Sequence, residues 1–119
     1  MAVIDWELST IGHPFSDLAY QCMQWRFLNH ETMRGLANLD RRALGIPTEE
    51  DYIAKYCARV GIAGIPNWNF CLAFSFFRLA AIVQGVKKRG LEGNASNPEK
   101  ALKSGERVPL MAKMGVAVI

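Results

Sequence analysis

Apolar and polar positions along the chain alternate in blocks that predict one short strand followed by a series of helices. Ala2-Val3-Ile4 is a β-branched apolar run that stops at a carboxylate, the pattern of a buried strand delivering Asp5 to its end. Ser9 to Gly12 and Pro14 read as a loop. Ser16 or Asp17 then caps a helix whose apolar positions are Leu18, Ala19, Cys22, Met23, Trp25 and Phe27. Residues 29 to 46 are mixed, with a short helix expected near Glu31 to Leu39 and a break at Gly45-Ile46-Pro47.

Thr48 with Asp51 resembles a capping box, and Tyr52, Ile53, Tyr56 and Val60 follow at helical spacing before Gly61. After a Gly/Pro loop, Trp68 or Asn69 opens the longest helical stretch, which ends at Lys87-Lys88-Arg89 before Gly90. Between Phe70 and Val86 only Ser75, Arg78 and Gln84 are clearly polar, so this helix is expected to be central and buried. A membrane span is disfavoured: 17 residues fall short of the roughly 20 required, and an arginine at a bilayer centre costs at least about 3 kcal/mol. Asn97 as cap and Pro98 at the first helical position predict one or two further helices over residues 98 to 115. A lone strand needs a partner; Val116 to Ile119 is the candidate within the chain, and otherwise the partner lies upstream of Met1 or in a second copy. The expectation is one all-α domain over residues 1 to 119, with a remnant strand at its start.

Half the residues are hydrophobic and 21% are charged, which suits a folded domain. The net charge of +3 is unevenly placed, because residues 87 to 119 carry 7 Lys+Arg against 3 Asp+Glu. No aromatics interleave with those cations, so a solvated face is expected and a nucleic-acid platform is not. Cys22, Cys57 and Cys71 have neither zinc-ligand nor CxxC spacing and read as reduced core thiols. With no signal peptide in the opening residues, a cytoplasmic location is expected.

The stretch Val3-Ile4-Asp5-Trp6-Glu7, with Gly12-His13-Pro14 and Asp17-Leu18-Ala19, closely resembles the metal-binding segment of the aminoglycoside/choline phosphotransferase family. Phe77-Arg78-Leu79-Ala80-Ala81-Ile82, Gln84-Gly85-Val86 and Arg89 look like the branch of that family found as a phosphotransferase domain in acyl-CoA dehydrogenase fusion proteins. The resemblance extends, with gaps, over about residues 2 to 97. It implies the helical part of a protein-kinase-like C-terminal lobe. In the complete protein the implied reaction is ATP-dependent phosphoryl transfer to a small-molecule hydroxyl.

By resemblance Asp5 ligates the Mg²⁺ of Mg-ATP, Glu7 assists through a water or orients the loop, and Asp17 braces the catalytic loop. Magnesium wants hard oxygen ligands, which is why a carboxylate suits the first position. Asp17 also has a simpler use at a helix start, worth about 1 kcal/mol. His13 stands where the family's turn carries an acidic residue, so nothing beyond turn formation is carried over there.

Arg78 lies in an apolar helix and needs a carboxylate, for which Asp17 and Glu7 are the candidates; a buried ion pair is expected, with a substrate-phosphate contact as the other use. Trp25, Trp68, Phe74 and Phe77 are read as core in preference to a substrate cage. The family's His-x-Asp catalytic loop and nucleotide-binding lobe find no counterpart in the 119 residues, so the isolated chain is expected to be inactive and to bind neither Mg²⁺ nor ATP tightly. The alternative is a non-catalytic helical interaction module that self-associates through an exposed lobe interface.

Overall fold

The computed structural model of the chain describes residues 9–30 and 33–119. The expected strand at Ala2 to Ile4 lies outside them. The described residues are mostly helical: α1 (Pro14–Cys22), α2 (Glu49–Val60), α3 (Trp68–Leu91), α4 (Pro98–Gly105) and α5 (Val108–Ala117), with a 3₁₀ turn at Met23–Trp25.

Helix α1 starts earlier than expected. Pro14 occupies its first turn, and the N-cap is His13, whose ring nitrogen accepts from the Phe15 N–H at 3.4 Å. Neither Ser16 nor Asp17 is the cap; Asp17 sits in the first turn, where a carboxylate favours the helix dipole. Proline is preorganised for a first helical position, so the Pro14 read as loop is the start signal.

The helix expected near Glu31 to Leu39 is absent from its described part. A two-residue antiparallel ladder takes its place, pairing β1 (Asn29–His30) with β2 (Met33–Arg34). Asn38 closes this excursion, accepting from the Asn29 N–H at 2.6 Å through its Oδ1, while the Leu36 and Ala37 N–H groups donate to the carbonyls of Gln24 and Phe27. With its backbone donors taken in this way, the segment needs no helix to satisfy them.

Helix α2 follows the predicted signals. The Thr48 hydroxyl accepts from the Asp51 N–H at 3.1 Å, and Gly61 ends the helix in the left-handed region at φ 73°. Helix α4 does likewise, with the Asn97 side chain accepting from the Lys100 N–H at 2.9 Å and Pro98 in the first turn.

Helix α3 is the spine against which α1, α4 and α5 pack. Its C-terminal half meets α4 closely enough that a Cβ on Gly105 would stand 2.4 Å from Lys87 Cδ. Its N-terminal half meets the returning α5, where Gly115 lies against Phe76. The main core gathers Met23, Phe27, Met33, Phe76, Val83 and Met111, and a second cluster gathers Leu18, Ala19, Cys22 and Leu72 beneath Tyr52, Ile53, Tyr56 and Trp68.

Three expectations need correction. Helix α3 has 24 residues and is, by length and composition alone, long enough to cross a membrane, so shortness is no argument against a span. It is central but not buried all round: Phe70 and Phe77 are each 66% exposed, and Phe74 is also exposed, so two of the four aromatics read as core are surface residues. Val116 to Ile119 does not form a strand, because α5 runs through Ala117. Its β-branched residues continue a helix that packs against the core through Met111 and Gly115, so tertiary packing overrides local propensity.

Candidate functional site

A cleft of about 640 Å³ opens between the loop that enters α1 and the middle of α3. Ser9 to His13 form one wall, Ser16 and Asp17 the start of α1, and Phe74 and Arg78 the opposite side. Helical periodicity brings Phe74 and Arg78 together, since residues four apart share a face. Packing of α1 against α3 brings Asp17 to them across 61 positions of sequence.

Arg78 Nη1 stands 4.0 Å from Asp17 Oδ1, and the guanidinium carbon lies 4.9 Å above the Tyr20 ring. Of the two carboxylates expected for Arg78, Asp17 stands at ion-pair distance while Glu7 lies outside the described residues, and the pair is not buried. The Asp17 side chain is 89% exposed and that of Arg78 is 41% exposed. A pair this open contributes at most about 1 kcal/mol, with a similar amount from the cation over the ring. The guanidinium is thus oriented by Tyr20 and Asp17 while keeping donors toward the cleft. A cation at the rim and an aromatic wall beside it can hold a small anionic or phosphorylated molecule.

Asp5 and Glu7 lie outside the described residues. Among the described residues no three His, Cys, Asp or Glu side chains converge in a way that could hold a metal ion. A divalent cation at this end of the domain would depend on carboxylates preceding Ser9.

A second polar node went unread in the sequence. The Glu49 carboxylate, in the first turn of α2, accepts from Trp68 Nε1 at 2.9 Å and pairs with Arg26. Nearby, Trp25 Nε1 donates to the Pro47 carbonyl at 3.0 Å, and the Tyr52 hydroxyl donates to Gln21 Oε1 at 2.8 Å. These bonds fasten α2 to the rest of the molecule across a peripheral contact in which Cys57 is the only buried residue of that helix. Thr48-Glu49-Glu50-Asp51 reads locally as helix-start acid, and nothing local distinguishes Glu49 from its neighbours. Replacing Glu49 with Ala is expected to destabilise the chain by about 2 kcal/mol, since it strips partners from a part-buried indole N–H and a guanidinium only 29% exposed. A shifted urea midpoint with an unchanged m-value checks this.

The three cysteines are free, as expected. Burial, with the nearby Glu49 carboxylate adding to it and Arg26 opposing, pushes the Cys22 thiol up to about 12. It is a neutral core group at ordinary pH and not a nucleophile.

Comparison with known proteins bears on what this cleft serves. The chain is 50% identical over 115 residues to acyl-CoA dehydrogenase family member 10 of Mus musculus, covering 96% of the chain and 11% of that protein. It is 44% identical over 111 residues to acyl-CoA dehydrogenase family member 11 of Rattus norvegicus, covering 92% of the chain and 14% of that protein. These proteins are its homologues. A probable acyl-CoA dehydrogenase of Arabidopsis thaliana is 36% identical over 110 residues. The chain spans between a tenth and a seventh of the length of these relatives. No family model and no solved structure matches it.

Proposed function

We propose that the chain is the C-terminal helical portion of an ATP-dependent phosphotransferase that acts on a hydroxyl of a small molecule. Supporting it most directly is the cleft in which Asp17, Arg78 and Phe74 face the loop that follows Asp5-Trp6-Glu7. Homology to proteins named for acyl-CoA dehydrogenation, over more than nine-tenths of the chain, adds support for a metabolic acyl substrate over an antibiotic one.

In this reading Asp5 would hold Mg²⁺ and Glu7 would assist. The bound metal would neutralise charge on the transferring phosphoryl group. Asp17 and Tyr20 hold Arg78 in place, and Arg78 receives an anionic group of the acceptor at the cleft rim. Phe74 supplies an apolar wall for the acceptor's carbon skeleton. A hydroxyacyl thioester has both features, a chain and a charged end. Helix α3 serves as the spine of a soluble lobe, because a mid-helix arginine and three helices packed along it suit a domain core better than lipid.

The His-x-Asp loop and nucleotide lobe that complete the reaction are not contained in these 119 residues. Catalysis therefore belongs to a longer polypeptide carrying them. Two measurements test the reading together. Transfer of the γ-phosphoryl from ATP to a hydroxyacyl thioester is expected from the longer protein and not from this chain. Titration of this chain with Mg-ATP in a calorimeter is expected to show no tight binding. Micromolar binding by the 119 residues alone would overturn their incompleteness, and a longer protein that never transfers phosphate to any hydroxyl would overturn the reading.

A further inference from the structure

Phe70, Phe74 and Phe77 form a continuous aromatic stripe along the outer face of α3, with ring centroids 6.4 Å apart for the first pair and 6.5 Å for the second. Only the N-terminal half of the outer face is apolar; further along, Gln84 and Lys88 occupy it, so the patch is bounded. Beside Phe77 runs an apolar groove of about 290 Å³ between α3 and α5. Small residues line it, Ala73 and Ala80 from α3 with Ala112 and Gly115 from α5, and Phe77 and Ile119 stand at its edge. Projecting rings and a hollow of side-chain size thus share one face.

From their exposures, Phe70, Phe74, Phe77, Val116 and Ile119 present on the order of 600 Å², most of the roughly 800 Å² that each partner of a stable complex buries. A patch of this size lies at the upper limit for surfaces that stay in water.

We propose that the Phe70, Phe74 and Phe77 stripe and the small-residue groove beside it form a two-fold interface through which two copies of this chain associate. A knob and a hollow on the same face are self-complementary under a two-fold axis, where the ring of each copy enters the groove of the other. The closed arrangement limits assembly to a dimer. The interface shares Phe74 with the phosphotransfer reading, whose cleft that ring lines, whereas Phe70, Phe77 and the groove lie outside the cleft.

Sedimentation velocity of the 119-residue chain, at concentrations on the order of 10 µM, is expected to give twice 13.3 kDa. Phe77→Asp removes the knob and Ala112→Trp fills the hollow from the other helix, both at exposed positions. Each is expected to weaken dimerisation at least about thirtyfold, the effect of losing a central anchor, with helicity by circular dichroism unchanged. A monomeric wild-type chain, an open-ended series of assemblies, or a dimer that survives both substitutions would each overturn the proposal. Loss of helicity in both variants would also overturn it, because the two positions would then be shown to support the fold and not a free face.

Discussion

Asp5→Ala, introduced into the longer protein that completes the machinery, is expected to lower phosphoryl transfer at least about a hundredfold while leaving the thermal midpoint nearly unchanged. The magnitude follows from what a metal ligand does in this chemistry. Transition-state charge on the transferring group is offset by the cation, and removing one well-placed electrostatic partner costs about 3 kcal/mol or more. The sequence offers no substitute within reach by spacing except Glu7, two residues on, which as a longer side chain from a different position would hold the ion off its place. Asp5→Asn distinguishes charge from hydrogen bonding and is expected to fall nearly as far. Rates measured across magnesium concentration separate the two failures: a variant rescued by excess Mg²⁺ has lost affinity alone. Full activity in Asp5→Ala would remove the metal assignment, and the phosphotransferase reading would then rest on homology without a mechanism.

What could be read from the sequence, and what could not, divides along the range of the interactions involved. Caps are local, so Thr48 with Asp51, Gly61, and Asn97 with Pro98 mark the boundaries of α2 and α4 within a residue or so. His13 is not a favoured cap, and Pro14 fits both a loop and a first helical turn, so the start of α1 shifted. The 29–34 ladder is held by the Leu36 and Ala37 N–H groups donating to the Gln24 and Phe27 carbonyls and by the Asn38 side chain bonding the Asn29 backbone, none of which has a local signature. Glu49, Trp68 and Arg26 meet across 19 and 23 positions, and no periodicity announces such a node.

For the site, the sequence asked for a carboxylate beside Arg78 and offered both Asp17 and Glu7, because an arginine in an apolar helix demands one. Asp17 stands at ion-pair distance, and Glu7 lies outside the described residues. The exposure of the pair was not legible, since an apolar helix surface carries no label for whether the domain, a partner or solvent covers it. The same ambiguity explains Phe74 and Phe77. Their hydrophobicity predicts burial, whereas the described fold leaves both exposed.

Neighbouring phenylalanines in α3 give the sharpest test of that division. Phe76 is fully buried, packs edge-on against Phe27 with centroids 5.4 Å apart, and sits against Gly115 of α5 at a spacing where an added Cβ would stand only 3.2 Å away. Phe76→Ala is expected to cost about 4 kcal/mol, the loss of a large buried side chain plus the cavity it leaves, because the ring is pinned between two elements and the site has little freedom to collapse. Against a total stability of about 5–15 kcal/mol, that brings the domain close to unfolding and lowers its melting temperature by about 15 °C or more. Phe77→Ala, one residue on and 66% exposed, is expected to change the monomer's stability by no more than about 0.5 kcal/mol when measured at a dilution where dimers are absent. Urea unfolding of both variants decides the matter: equal losses would mean that α3 is turned differently about its axis, and with it the aromatic stripe, the small-residue groove and the position of Arg78 over Tyr20.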